Sequence, residues 1–315
     1  MTVMNELQGG EAASVRVRDF LEIAAARLSL PIDEVCGALD TPTNRVASAD
    51  KALFESIATL ADELLRRRRY TKATVDGFYV SASRGQPGEK TFVGGLEALS
   101  LHGYPPDSLE RLPLPVTQRF LGLGNVWRGV ESLGHIRVLD VGCGSGTDIG
   151  VAHYLSGGRS TLVGIDTRPD LLGFAVTACP SVLLAVGSAS RPPFAERSFD
   201  VVVANGLPPL QRPGTIAESA RQLCQVATLG GRVASSVLVA APTLLDEFRK
   251  EFPAHGQSFM QSLATLATGK PTVEDVEAAF VAAGAVVEVH IGTNPYLDAT
   301  DRAESAMLEV IATPQ

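Results

Sequence analysis

One short stretch, Asp140-Val-Gly-Cys-Gly-Ser-Gly146, carries the residue types that could hold a nucleoside-bearing ligand. Glycine has no Cβ, so the backbone at 142, 144 and 146 can adopt positive φ and approach a ligand closely. Twenty residues beyond Gly146, the apolar run Thr161-Leu-Val-Gly-Ile165 ends in Asp166. An acid at that strand tip is placed to accept both hydroxyls of a ribose. The dinucleotide spacing G-x-G-x-x-G fails in both frames, because Thr147 and Ile149 stand where the last glycine would be. A nicotinamide oxidoreductase is therefore disfavoured. Turn and acid together favour an adenosyl ligand and demand no pyrophosphate.

The elements that must position these residues can be read around them. Ile136, Val138, Leu139 and Val141 form a short apolar run that predicts a buried strand, and Ile149, Val151, Ala152 and Leu155 predict the helix that follows. Strand, glycine turn and helix open a βαβ unit. The N–H groups at the helix start favour a carboxylate or phosphate. A third strand is predicted over residues 181–186 and a fourth over Phe199–Ala204. A fifth follows Gly230-Gly231 and runs from Arg232 to Val239, and a final antiparallel pair covers 286–291 and 307–312.

These motifs resemble those of class I S-adenosylmethionine-dependent methyltransferases. Val138-Leu-Asp-Val-Gly-Cys-Gly-Ser-Gly146 and Val163-Gly-Ile-Asp166 look like the first two motifs of that family. Ser198-Phe-Asp-Val-Val-Val-Ala-Asn205 resembles the fourth-strand motif, and Leu229-Gly-Gly-Arg-Val233 resembles the turn before strand five. The resemblance covers about residues 110–315. It implies an α/β fold, a Rossmann-like doubly wound seven-stranded methyltransferase sheet with a helical N-terminal extension. S-adenosylmethionine is the implied cofactor, contacted by Asp140, Gly142, Gly144, Gly146, Asp166, Ser188, Ala189 and Asn205. The family often places an acid at the position of Ser188, whose hydroxyl accepts the same hydrogen bond without charge assistance. Asn205 is expected to face the methyl-transfer position as an orienting hydrogen bonder. It lacks the Pro-Pro-aromatic sequel of enzymes that methylate amino groups on nucleic acid.

Bulk properties narrow the partners. The chain has 315 residues, 45% of them hydrophobic, and a net charge of −8. That charge argues against non-specific nucleic-acid binding, which needs a basic surface, and against a helix-turn-helix reader at the N-terminus. Four scattered cysteines (36, 143, 179, 224) form no C-x-x-C pair, so neither a metal site nor a disulfide framework is expected. No apolar run approaches the length of a membrane span, and the N-terminus lacks a signal-peptide pattern. A cytoplasmic location is expected.

Residues 1–72 read as an accessory helical segment, with stripes at Val17, Phe20, Leu21, Ala24 and Leu28, a short helix over 32–39, and a third stripe from Leu53 to Leu65. Arg66–Arg69 reads as a solvated helix end. The stripes are expected to pack on the catalytic part or on a second subunit, as a homodimer. Residues 73–315 then form the methyltransferase domain. Within it, 242–270 is expected to be a helical lid insertion, with Phe248, Phe252, His255, Phe259 and Met260 facing an apolar substrate pocket or simply covering the sheet.

In local pattern the chain comes closest to arsenite-methyltransferase-like enzymes. Tyr79 and Gly122-Leu-Gly-Asn-Val126 match their Tyr-containing helix and the turn beside their cofactor. Those enzymes hold trivalent arsenic through thiolates, as a soft ion requires. Here Leu123 stands in the turn where they have Cys, and Asn205-Gly206 stands where they have Asn-Cys. A small organic acceptor, secondary metabolites included, is therefore expected, methylated on C, O or N. Tyr79 and His255 are the catalytic candidates, with His102 and Tyr104 as further possible bases. The alternative is a protein that binds the cofactor without transferring its methyl, either a scaffold or a cyclisation or rearrangement enzyme using the bound sulfonium.

Overall fold

The computed structural model describes residues 21–22, 24–26, 30–40, 93–189, 191–207, 215–251, 253, 256–268, 270–292 and 305–315. Tyr79, His255, Phe252, Arg66–Arg69 and the third N-terminal stripe lie outside them.

The described helices are α1 Ile32–Asp40, α2 Gly95–Leu101, α3 Pro106–Leu109, α4 Leu114–Thr117, α5 Thr147–Leu155, α6 Pro169–Ala178, α7 Thr215–Val226, α8 Pro242–Glu251, α9 Gln257–Thr268 and α10 Val273–Ala282. The strands are β1 Arg137–Val141, β2 Thr161–Asp166, β3 Leu183–Val186, β4 Phe199–Leu207, β5 Ala227–Ala240, β6 Ala285–Gly292 and β7 Ser305–Pro314. They form one seven-stranded sheet in the order β3-β2-β1-β4-β5-β7-β6. The first five strands are parallel, and β7 runs antiparallel between β5 and β6. The order reverses between β1 and β4. At such a switch point the crevice beyond the strands' carboxyl ends receives the ligand.

Strand alternation divides the core. Val202 and Ala204 of β4 and Leu139 and Val141 of β1 face a cluster with α7 and α10. Val201, Val203 and Val138 face the opposite cluster, which contains residues of the 93–133 segment, α5 and Trp127. Both faces are covered, so these strands read as continuous apolar runs.

Three elements differ from expectation. β4 runs on to Leu207, and Asn205 pairs with Ser236 of β5 inside the ladder. β3 is shorter than the apolar run implied, because an outer strand has one neighbour, and its Leu183 and Val186 stay exposed. β5 begins at Ala227, ahead of the Gly230-Gly231 turn, with a register shift where β4 passes from Phe199 to Val201.

The 242–270 stretch is the expected helix pair, α8 and α9. Phe248, Phe259 and Met260 are buried with Leu21, Ala24, Val35 and Cys36 in a separate apolar cluster. Leu21 and Ala24 of the first N-terminal stripe thus pack on these two helices, and Phe248, Phe259 and Met260 serve that packing. A capping box opens α10: Thr272 Oγ1 accepts from Asp275 N–H, and the Asp275 side chain accepts from Thr272 N–H.

Gly146 gives a test of packing in this fold. It has φ +85, and a Cβ there would lie 2.6 Å from Ala175 Cα on α6. Gly146→Ala should cost about 2–4 kcal/mol, combining left-handed strain with overpacking. Gly157→Ala, left-handed but with nothing within 4 Å, should cost only about 1–2 kcal/mol. Urea unfolding of the two variants measures the difference.

Candidate active site

Backbone geometry pins the glycine turn to the second strand. The N–H groups of Gly142 and Cys143 donate to Ile165 O at 2.8 and 3.0 Å, and Gly144 N–H donates to Asp166 Oδ2 at 2.9 Å. On the other side Ser145 Oγ donates to Val116 O at 2.9 Å, tying the turn to α4. Cβ atoms built at Gly142 and Gly144 would meet nothing within 4 Å. These two glycines face open space, whereas Gly146 is required by the contact of α5 with α6. Cys143 points the other way, since a Cβ on Gly164 would come within 2.8 Å of its sulfur. Burial pushes its thiol far up, with Asp140 and Asp166 adding to the effect, so it is a packing residue and no nucleophile.

Asp166 lies at the end of β2, next to the tip of β3 through its pairing with Val186. Its Oδ1 accepts from Arg168 N–H at 2.8 Å, and its Oδ2 takes the Gly144 N–H. Each carboxylate oxygen keeps a further lone pair. Ser188 and Ala189 follow directly on β3, so the structure brings them to the same end of the sheet.

The site holds more than the glycine turn and Asp166. Asp148, in the first turn of α5 and buried, accepts from the Tyr104 hydroxyl at 2.6 Å and from Asn205 Nδ2 at 3.0 Å. Asn205 Nδ2 also donates to Tyr104 Oη and to Gly124 O, each at 2.9 Å. Its Oδ1 accepts from Leu123 N–H at 2.8 Å and from Ser236 Oγ at 2.5 Å. Asn205 therefore meets the 122–124 turn, Tyr104, Asp148 and Ser236, all within the chain. The turn itself is anchored from below: Asn125 N–H donates to Glu309 Oε1 at 2.9 Å, and Glu309 is ion-paired with Arg128.

Electrostatics follow from burial. Asp148 is pushed up to about 6, chiefly by loss of water, while the bonds from Tyr104 and Asn205 pull it back. Asp140, buried at the end of β1, is raised well above the ordinary carboxylate range by burial and then by the charges of Asp148 and Asp166. Its Oδ2 has no hydrogen-bond partner. Burial, then the charge and hydrogen bond of Asp148, raise Tyr104 well above a free phenol. Its proton stays on, which removes it as a base. Burial lowers His102, with Arg128 adding to the effect against Glu309 and Gly122, and its buried Nε2 is unpartnered.

An adenosyl amino-acid cofactor fits these residues. An unpartnered buried carboxylate oxygen on Asp140 suits its cationic end. Two glycines face open space, and Asp166 retains acceptors for a diol. Among the described residues no cluster suited to a metal ion is found.

The sheet order is that of a Rossmann-like α/β fold, and the site suits an adenosyl amino-acid cofactor. Residues 138–231 match a family described as a methyltransferase domain, from β1 to the glycines of β5. Residues 138–231 thus carry a methyltransferase domain, seated on a seven-stranded Rossmann-like sheet. No curated protein matches the chain. Among solved structures, it is similar to an arsenic(III) S-adenosylmethionine methyltransferase from Chlamydomonas reinhardtii, at 22% identity, 66% of this chain, 73% of that one and a TM-score of 0.48. It is also similar to a geranyl diphosphate C-methyltransferase from Streptomyces coelicolor, at 12% identity, covering 76% and 98% with a TM-score of 0.47. An S-adenosylmethionine-dependent methyltransferase from Mesorhizobium loti shows 20% identity, 60% and 95% coverage and a TM-score of 0.43.

Sequence reasoning missed Asp148, although an acid two residues past the third glycine, in a helix of otherwise apolar neighbours, was a usable signal. It also missed Glu309. There the signal was a single acid inside the apolar run 306–312, where burial demands a partner.

Replacing Asp166 with Ala should weaken S-adenosylhomocysteine binding by about 10- to 100-fold, the worth of charge-assisted hydrogen bonds. Calorimetry showing unchanged affinity would remove the ribose assignment. Tyr104→Phe should cost about 1–3 kcal/mol of stability by stripping Asp148 of its shortest bond, a loss that thermal unfolding reads.

Proposed function

We propose that the chain transfers the methyl group to carbon, oxygen or nitrogen of a small organic acceptor, secondary metabolites included. One observation carries this reading. The cysteines are single, buried and scattered over separate elements, and the position that would offer a thiolate above Asn205 is Leu123, buried against Leu238 and Met307. A soft metalloid would find no thiolate pair there, since burial also raises Cys36 and pushes Cys224 up to about 11.

The bound cofactor supplies a methyl already activated on a sulfonium. What is left to the protein is placement and exclusion of water. The 122–125 turn closes over the ends of β4 and β5, held by Asn205 and Glu309, and forms a wall beside the glycine turn. Gly124 lies so close to Glu309 and Ser236 that a Cβ would come within 2.9 Å of Glu309 Cγ, so this wall is tightly fitted. In this reading Tyr79 positions the acceptor and His255 takes its proton when the acceptor is an alcohol or carbon acid. Both assignments rest on their place in segments predicted to cover the site. Asp140, Gly142, Gly144, Asp166, Ser188 and Ala189 hold the cofactor, and Asn205 supports the site through Asp148. The same reading takes the protein to act without nucleic acid or membrane, in the cytoplasm. No helix among the described residues is long and apolar enough to cross a membrane.

Incubation with methyl-labelled S-adenosylmethionine and a panel of phenols, amines, carbon acids and arsenite tests the proposal. Label should pass to an organic acceptor and not to arsenite; the reverse outcome overturns it. For a weakly acidic acceptor, His255→Ala should lower kcat about 10²- to 10⁴-fold while leaving S-adenosylhomocysteine affinity unchanged.

A further inference from the structure

The glycine turn is ringed by buried acid: Asp140 on β1, Asp148 on α5 and Asp166 on β2. The donors that reach Asp148 are neutral, the Tyr104 hydroxyl and the Asn205 amide. Those on Asp166 are backbone N–H groups of Gly144 and Arg168. Asp140 Oδ2 has none. Among the described residues, neither Asp140 nor Asp148 belongs to an ion pair. Two neighbouring carboxylates out of water and without a cation cannot both stay ionised cheaply.

We propose that the Asp140–Asp148 pair carries one shared proton in the cofactor-free protein and releases it to solvent when the cationic end of the adenosyl amino-acid cofactor binds. This rests on the cofactor assignment above and goes beyond it, because it makes cofactor capture proton-linked. The balance is simple. One carboxyl O–H is broken, its proton goes to buffer, and the cofactor's ammonium takes its place as counter-charge with no covalent bond formed.

The surroundings leave no other group to take this role. Around the pair lie Asp166, a carboxylate whose charge raises Asp140, Tyr104, which keeps its proton, and Asn205, while the Cys143 thiol, also kept protonated, points away. Across the 122–125 turn, Glu309 is committed to Arg128 and Asn125, and the ring of His102 lies edge-on to Phe120. Burial pushes Asp148 up to about 6, and burial, then the charges of Asp148 and Asp166, raise Asp140, which favours a proton on the pair at mildly acidic pH. The sign for stability follows. A carboxyl raised on folding favours the fold at low pH, and that contribution is lost as pH rises through about 6.

Calorimetric titration of the full chain with S-adenosylhomocysteine at mildly acidic pH, in buffers of different ionisation enthalpy, counts the protons. About one proton should leave per molecule bound, and affinity should rise by up to about tenfold per pH unit while the pair holds its proton. 5′-Methylthioadenosine, which lacks the amino-acid tail, should bind without release. Asp148→Asn should abolish release and flatten the pH dependence of ligand-free melting. If that variant does not fold, the native titration decides alone. Binding of S-adenosylhomocysteine with no proton release, or equal release by methylthioadenosine, overturns the proposal and leaves the cofactor assignment standing. No binding of S-adenosylhomocysteine at saturating concentration overturns both.

Discussion

Negative charge buried at the carboxyl edge of the sheet is the constraint on which the rest of this structure depends. Asp140, Asp148 and Asp166 surround a turn whose glycines leave two faces open. Burying a carboxylate costs several kcal/mol unless it is bonded or neutralised. The fold meets that cost only in part, through the Tyr104 hydroxyl, the Asn205 amide and a few backbone N–H groups. A site built this way is complementary to a ligand that brings a cation and a diol together.

Much of the remaining architecture can be understood as support for that arrangement. Asn205 ends up inside the ladder because β4 extends past its apolar run, and this fixes its amide against Ser236. With its amide so placed, Asn205 holds the 122–124 turn by two backbone N–H groups and Asp148 by one donor. Glu309, on an antiparallel strand two positions away in the sheet, locks the same turn through Asn125 and Arg128. Residues from five separate stretches of chain thus converge on one wall. Removing any one of them would leave a buried polar group without its partner, which is the more damaging kind of loss.

The fold was readable from the sequence because its signals are local. Ile136, Val138, Leu139 and Val141 form one short apolar run and Val201–Ala204 another, and the glycines of the first turn follow the first. The capping box at Thr272 and Asp275 is a four-residue pattern. The proposed cofactor acids Asp140 and Asp166 stand out for the same reason, as acids near strand tips with regular spacing. Asp148 and Glu309 do not. Their importance comes from burial and from partners 44 and 181 residues away, Tyr104 and Arg128, and nothing in a linear pattern reports such pairings. Phe248, Phe259 and Met260 left two readings open, a pocket lining or a cover. Their composition suited a substrate pocket, but the packing of Leu21, Ala24 and Val35 against them makes them core.

The most direct measurement of the central claim is carbon-13 NMR of the aspartate carboxyls across pH, with and without S-adenosylhomocysteine. Without ligand, the Asp148 carboxyl should titrate near 6, and with ligand bound it should titrate well below that. An Asp148 signal at the ordinary carboxylate value in the free protein, or one left unmoved by bound ligand, would contradict the account.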